Sequence, residues 1–165
     1  MPKLSPLPIR TRGKGFFGRL WTWVTEVRAW EVVEDWEYEL PNESKIIIPK
    51  SFIFDGASIP RPLWGILSPT GLLLIPGLIH DFGYRFDYLW ALDSEGCVYK
   101  DHENAGQEYW DKLFYDVGEK VNGMKVINVL AWVALALMGR LAWKSNRKRY
   151  EADILPNKPL CTESA

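Results

Sequence analysis

The run from Val126 to Gly139 holds 14 residues without a single charge. A bilayer crossing takes about 20 apolar residues. The run is too short to span, so it is expected as a buried helix in the core of a globular domain. The helix should extend over Met124–Arg149, where Lys144, Arg147, Lys148 and Arg149 complement the negative end of its dipole. A chain of 165 residues suits one domain with a substantial core.

Upstream, the texture changes twice. Residues 1–14 carry Pro2, Pro6 and Pro8, which oppose helix, and read as an extended basic arm. In "GFFGRLWTWVTEVRAW", Phe17, Leu20, Trp21 and Val24 recur at helical spacing, giving a short amphipathic helix. "WEVVEDWEYEL" sets Val32, Trp36, Tyr38 and Leu40 against Glu31, Asp35, Glu37 and Glu39. That is the alternation of a half-buried strand, with a bulge near Val33–Glu34. "KIIIPKSFIF" reads as short strands broken at Pro49. The front is therefore a small antiparallel sheet. Helices follow: one opening at Ser58 as N-cap, one over Leu72–Phe86, one over Asp101–Phe114 capped by Asp101, and the last. The fold class is α+β, a small N-terminal antiparallel sheet followed by three to four helices. Three segments result: an arm with amphipathic helix (1–28), a single domain (29–150) and a loose tail (151–165).

The formal net charge of −1 argues against a dedicated nucleic-acid binder, which carries a basic face. Charge is nevertheless segregated. Lys3, Arg10, Arg12, Lys14, Arg19 and Arg28 face Glu26 alone at the front, and Lys144–Arg149 is basic, while the middle is acidic. Both ends could contact a partner or an anionic surface. Trp21 and Trp23 beside Arg19 suit a membrane interface; docking on the domain itself or on a neighbouring subunit is the plainer reading. Cys97 and Cys161 are the two cysteines; far apart and without a C-x-x-C, they are expected as free thiols in a reducing compartment. The N-terminus lacks the apolar core of a secretory signal.

His80 and Asp81 sit side by side in the apolar stretch "LIPGLIHDFGYRF". On a helix, His80 and Tyr84 share a face, and Asp81 points about 100° away. A neutral histidine is a suitable general base, and a carboxylate is a hard oxygen ligand suited to Ca²⁺. "FIFDGASIPRPLW" followed by "GLIHDFGY" resembles an uncharacterised family of phage and prophage proteins, a domain of unknown function. Its pattern is roughly F-x-T-D-x-A-S-I-P-R-x-x-W, then H-D-x-x-Y, then a helix with A-D-x-x-F. Phe54 replaces the Thr here, and "GQEYW" is matched to the third motif, placing Gln107 where the Asp would be; Asp111 or Glu103, one turn either side of Gln107, substitutes only if the helix is rotated or shifted. The resemblance covers Lys45–Trp143.

More distantly, H-D-x-x-Y paired with a later A-D-x-x-F is similar to the two-helix core of secreted-type phospholipases. That resemblance implies a site in which His80 is the base, Asp81 a Ca²⁺ ligand, and Tyr84 and Gln107 the orienting groups; Asp55, from the D-G-A-S-I-P-R motif, is the candidate second carboxylate. Zn²⁺ through His80 and His102 is the lesser alternative. The Y-x-G-x-G calcium loop of those enzymes has no counterpart in "GILSPTGLLLIPG". The plainer readings make His80–Asp81 a structural pair, Asp55 a turn residue, Arg61 the partner of Asp55 or Asp81 in a structural ion pair, and Ser58 a helix cap.

Two functions follow. One is a metal-assisted hydrolase of lipid or cell-envelope esters. The other is a non-enzymatic phage protein, a virion component or host-interaction factor, that keeps the fold without the chemistry. Expected partners are other phage virion proteins or a host protein, with membrane contact through the basic arm and no nucleic acid. The expected location is the bacterial host cytoplasm during expression, or the phage particle.

Overall fold

The structure, a computed structural model, describes residues 1–8, 15, 29–54, 71–148 and 151–161. Arg19, Trp21, Trp23, Asp55, Ser58 and Arg61 lie outside them. The fold is α+β. Two antiparallel sheets carry the strands. The first holds β1 (Leu4–Pro6), β2 (Trp30–Val32) and β5 (Ile53–Phe54) in the order β1-β2-β5. The second holds β3 (Trp36–Glu39), β4 (Lys45–Ile48), β6 (Leu89–Leu92) and β7 (Val98–Asp101) in the order β3-β4-β6-β7.

One bent hairpin feeds both sheets. Its β3–β4 end pairs Trp36 with Ile48 and Glu39 with Lys45; its β2–β5 end pairs Trp30 with Phe54. The strands break at Val33–Asp35 and around Pro49, close to the expected bulge and the expected proline break. Across the bend, Val32 and Phe52 remain joined by a backbone hydrogen bond of 2.9 Å. The start of the basic arm is β1, paired with β2 from Leu4↔Val32 to Pro6↔Trp30.

Three helices complete the described residues: α1 (Leu74–Phe86), α2 (Gln107–Asn122) and α3 (Lys125–Arg147). α1 begins two residues later than expected, with Pro76 in its first turn, where a missing N–H costs nothing. Its buried face, including Ile75, Leu78, Ile79 and Phe82, meets the sheets. Phe82 packs edge-on to Phe52, centroids 5.0 Å apart. α2 starts at Gln107, not at Asp101, because Val98–Asp101 is taken by the β6–β7 hairpin. Neither of these two strands is among those the sequence predicts.

Two further expectations are corrected. α3 is not buried all round: Asn128, Ala131 and Gly139 face inward, whereas Val126 is 74% and Leu137 77% exposed. Residues 151–161 are not loose. They form a strap along the second sheet. Asp153 accepts from Tyr88, Ile154 O accepts from Trp90 Nε1, and Val98 bonds Pro159 and Cys161 through backbone. A Cys97–Cys161 disulfide closes the strap. The thiols are therefore not free, and the inference from them to a reducing compartment falls away. No described helix is long and apolar enough to cross a membrane.

Candidate active site

α1 and α2 pack through matching positions. On α1, His80, Gly83, Tyr84 and Asp87 recur at i, i+3, i+4 and i+7; on α2, Gln107, Trp110, Asp111 and Phe114 do the same. Gly83 provides the close approach: a Cβ there would lie 2.6 Å from Trp110 Cδ2. Asp87 ends α1 in the left-handed conformation, φ 61°, and its carboxylate accepts from Trp110 Nε1 (2.8 Å) and from the Gly106 N–H at the head of α2 (3.1 Å). This clamp fixes the register of α2 on α1. It places Asp111, the residue after Trp110, opposite His80.

His80 is 3% exposed. Its Nε2 lies 3.0 Å from Asp111 Oδ1, and the Tyr84 hydroxyl donates to the same oxygen at 2.5 Å. Gln107 Nε2 donates to Asp111 Oδ2 at 3.3 Å. Phe114 covers the imidazole edge-on at 5.6 Å. With Asp111 ionised, the short contact requires the proton on Nε2. The lone pair of the neutral ring is then on Nδ1.

Burial lowers the pKa of His80, but the hydrogen bond to Asp111 and the charges of Asp81 and Asp111 outweigh it and raise it above 6.5. Burial likewise raises Asp111, yet donation from His80, Tyr84 and Gln107 leaves it below its ordinary value of 3.8. Burial first, and then Asp111, push the Tyr84 phenol up, so Tyr84 is a neutral donor.

Asp111, not Gln107, is therefore the carboxylate facing His80. Gln107 acts one step further out, on Asp111. Matching "GQEYW" to the third motif puts Gln107 first and leaves Asp111, one turn on, as the substitute for a shifted helix. "WDKLF" carries the same D-x-x-F spacing, with Asp111 and Phe114 at its ends and Trp110 in place of the small residue. That spacing was the available signal.

On the other side of the ring, Nδ1 and Asp81 Oδ2 are buried with no hydrogen-bond partner among the described residues. Nδ1 lies 3.9 Å from Asp81 Oδ1, too far for a hydrogen bond. Buried polar atoms are rarely left so. An orphaned carboxylate oxygen is what a hard cation takes as ligand, but Ca²⁺ collects about six to eight oxygens, and Asp81 supplies one carboxylate. Asp55, the second expected ligand, lies outside the described residues, as does Arg61.

The expected alternative of His80 with His102 is not assembled: His102 sits on Tyr109, centroids 4.6 Å apart, beside Asp101. Among the described residues the one trio at metal-ligand spacing is Asp93, Cys97 and Cys161, and its two sulfurs are bonded to each other.

A groove of about 760 Å³ between α2 and α3 reaches Asp111 and Gln107 from outside; Trp132, Val129 and Arg140 form much of its α3 wall.

A family model described as a protein of unknown function matches residues 30–135, from β2 into α3. The chain belongs to the DUF1353 family. No curated protein and no solved structure matches it. The DUF1353 match takes in His80, Tyr84 and Asp111, so the whole dyad and its hydroxyl support lie within the family's domain. The β1 strand and the strap lie outside it.

Proposed function

We propose that this domain is a hydrolase of lipid or cell-envelope esters, carried by a phage, in which His80 is the general base. The single observation that carries the reading is the two-sided environment of His80. Nε2 is held by a buried carboxylate that Tyr84 also supports, while Nδ1 is left without a partner beside Asp81. That is the division of labour of a His–Asp base: one nitrogen fixes the ring and the tautomer, the other handles the proton. It matches the pattern implied by the phospholipase resemblance, with Asp111 in the orienting role.

Nδ1 takes a proton from a water molecule as that water attacks the ester carbonyl. Asp111 stabilises the imidazolium so formed, and Tyr84 and Gln107 hold Asp111 in place. His80 then returns the proton to the departing alkoxide, restoring the base. Bound at Asp81, with Asp55 as second carboxylate, Ca²⁺ would supply positive charge to the developing oxyanion.

A second reading, a non-enzymatic virion or host-interaction protein, is favoured by the exposed apolar side of α3. Release of acid from phospholipid and short-chain esters, with and without Ca²⁺, separates the two. Ca²⁺-stimulated release by the wild type, lost in Asp81→Asn, is expected. No release from any ester at any Ca²⁺ level leaves the second reading.

A further inference from the structure

We infer that α3 docks this protein on the surface of an anionic phospholipid bilayer. The surface is distinct from the N-terminal tryptophans and does not depend on catalysis at His80.

Val126, Leu130, Val133 and Leu137 succeed one another at steps of four and three residues, so they form one stripe of the helix. All four are exposed, Val126 and Leu137 by about three quarters (74% and 77%). At 1.5 Å per residue the stripe is about 17 Å long. Water-facing apolar rows of this kind mark a binding surface.

What covers the stripe is indicated by the charges around it. The same face continues through Arg140, Lys144 and Lys148, all exposed. Lys125 opens the helix, and no Asp or Glu occurs between Gly123 and Tyr150. The basic Arg147 is already used inside the fold, donating to the Tyr84 and Arg85 carbonyls at the end of α1. This face of α3 is thus apolar for three turns and then purely cationic, while Glu108 and Asp116 of α2 line the groove beside it.

An anionic bilayer complements both parts: acyl chains accept Leu130 and Leu137, and lipid phosphates meet Arg140, Lys144 and Lys148. Trp132, 40% exposed on the groove side of α3, is a residue type favoured at that interface. A second copy of α3 is a poorer match. Laid against itself in either direction, the helix brings no carboxylate of its own to face these cations. α3 is also too short of apolar residues to span, so the expected pose lies along the surface. The α2–α3 groove shares Val129, Trp132 and Arg140 with this side of α3, so a docked protein would present the groove at the membrane.

Co-sedimentation of the full chain with vesicles tests the inference, comparing phosphatidylcholine alone with phosphatidylcholine containing about a third phosphatidylglycerol. Binding to the anionic vesicles that weakens with salt is expected. Leu137→Glu and, separately, Leu130→Glu should each weaken it about tenfold or more. Lys144→Glu with Lys148→Glu should abolish the preference for phosphatidylglycerol. Circular dichroism matching the wild type identifies the folded variants. Three outcomes overturn the inference: no binding to anionic vesicles; binding unchanged in both leucine variants but lost in Trp21→Ala; or a dimer in sedimentation velocity that Leu137→Glu dissociates, without vesicle binding. His80→Gln should bind vesicles like the wild type, so loss of hydrolysis and loss of docking are told apart.

Discussion

Asp111→Asn changes one atom and should change both the stability of the domain and the proton affinity of His80. In the native site Asp111 accepts from three donors, at 3.0, 2.5 and 3.3 Å. An asparagine keeps one acceptor oxygen and turns its NH₂ towards one of those donors. Hydrogen bonds to a buried charge are worth about 1.5–3 kcal/mol each. Removing one member of a buried charged pair costs about 3–5 kcal/mol, but His80 can relieve part of this by losing its proton. A net loss of about 2–3 kcal/mol is expected. For a domain of this size that lowers Tm by roughly 5–10 °C.

The sign with pH follows from both groups. His80 is raised above 6.5 in the folded state, so its stabilisation is complete below that value and is lost as pH rises through the folded pKa. Asp111 is lowered below 3.8, so its stabilisation is complete above that value and is lost as pH falls through the folded pKa. The wild type should therefore exceed Asp111→Asn most between about pH 4 and about pH 6.5, with the gap narrowing on either side. Once Asp111 is neutral, Asp81 alone opposes the lowering effect of burial, so the pKa of His80 should fall. The two histidines of the chain make the NMR titration simple to assign, with His102→Gln identifying the second signal and a chelator present throughout. An unchanged His80 titration, or a stability gap that does not vary with pH, would refute the reasoning.

Four other substitutions probe the scaffold. Gly83→Ala would drive a methyl group into the buried Trp110 ring; helices α1 and α2 must part, and urea unfolding should show a loss of about 2–4 kcal/mol with altered tryptophan emission. At Gly139 an added Cβ would stand 2.5 Å from the Tyr84 hydroxyl and 3.2 Å from Gln107 Nε2, so Gly139→Ala should displace Tyr84 and cost about 1–3 kcal/mol. Val126→Ser on the exposed side of the same helix should change Tm little. Cys161→Ser opens a disulfide between residues 64 apart in sequence; by loop entropy it should cost up to about 4 kcal/mol, and hydrogen exchange should rise first in residues 151–161.

The helix that bears the site was legible because its signals are local: an apolar run, a proline in the first turn and His80 and Tyr84 one turn apart. Its partner was harder. Asp101 looked like a helix cap, yet the β6–β7 hairpin claims it, because Val98–Asp101 pairs with Leu89–Leu92, which in turn pairs with β4. Strand pairing is set by contacts distant in sequence, and two four-residue strands carry little periodicity of their own. The Asp87 clamp on Trp110 and on the Gly106 N–H, another contact distant in sequence, leaves Asp111, not Gln107, level with His80. The strap was illegible for a similar reason, since its hold comes from Trp90, Val98 and Cys97 in a distant hairpin. For α3, an uncharged run counted as buried because hydropathy does not say which faces find partners; here one face packs and the other meets solvent.

Ester hydrolysis by His80→Gln, compared with the wild type on the same phospholipid vesicles and with the folded fraction of each checked by circular dichroism, tests the role of His80 most directly. Glutamine can still bond Asp111 but cannot take a proton from water at neutral pH. Hydrolysis by the wild type that falls about 100-fold or more in the folded variant is the predicted result; equal hydrolysis by the two proteins would contradict it.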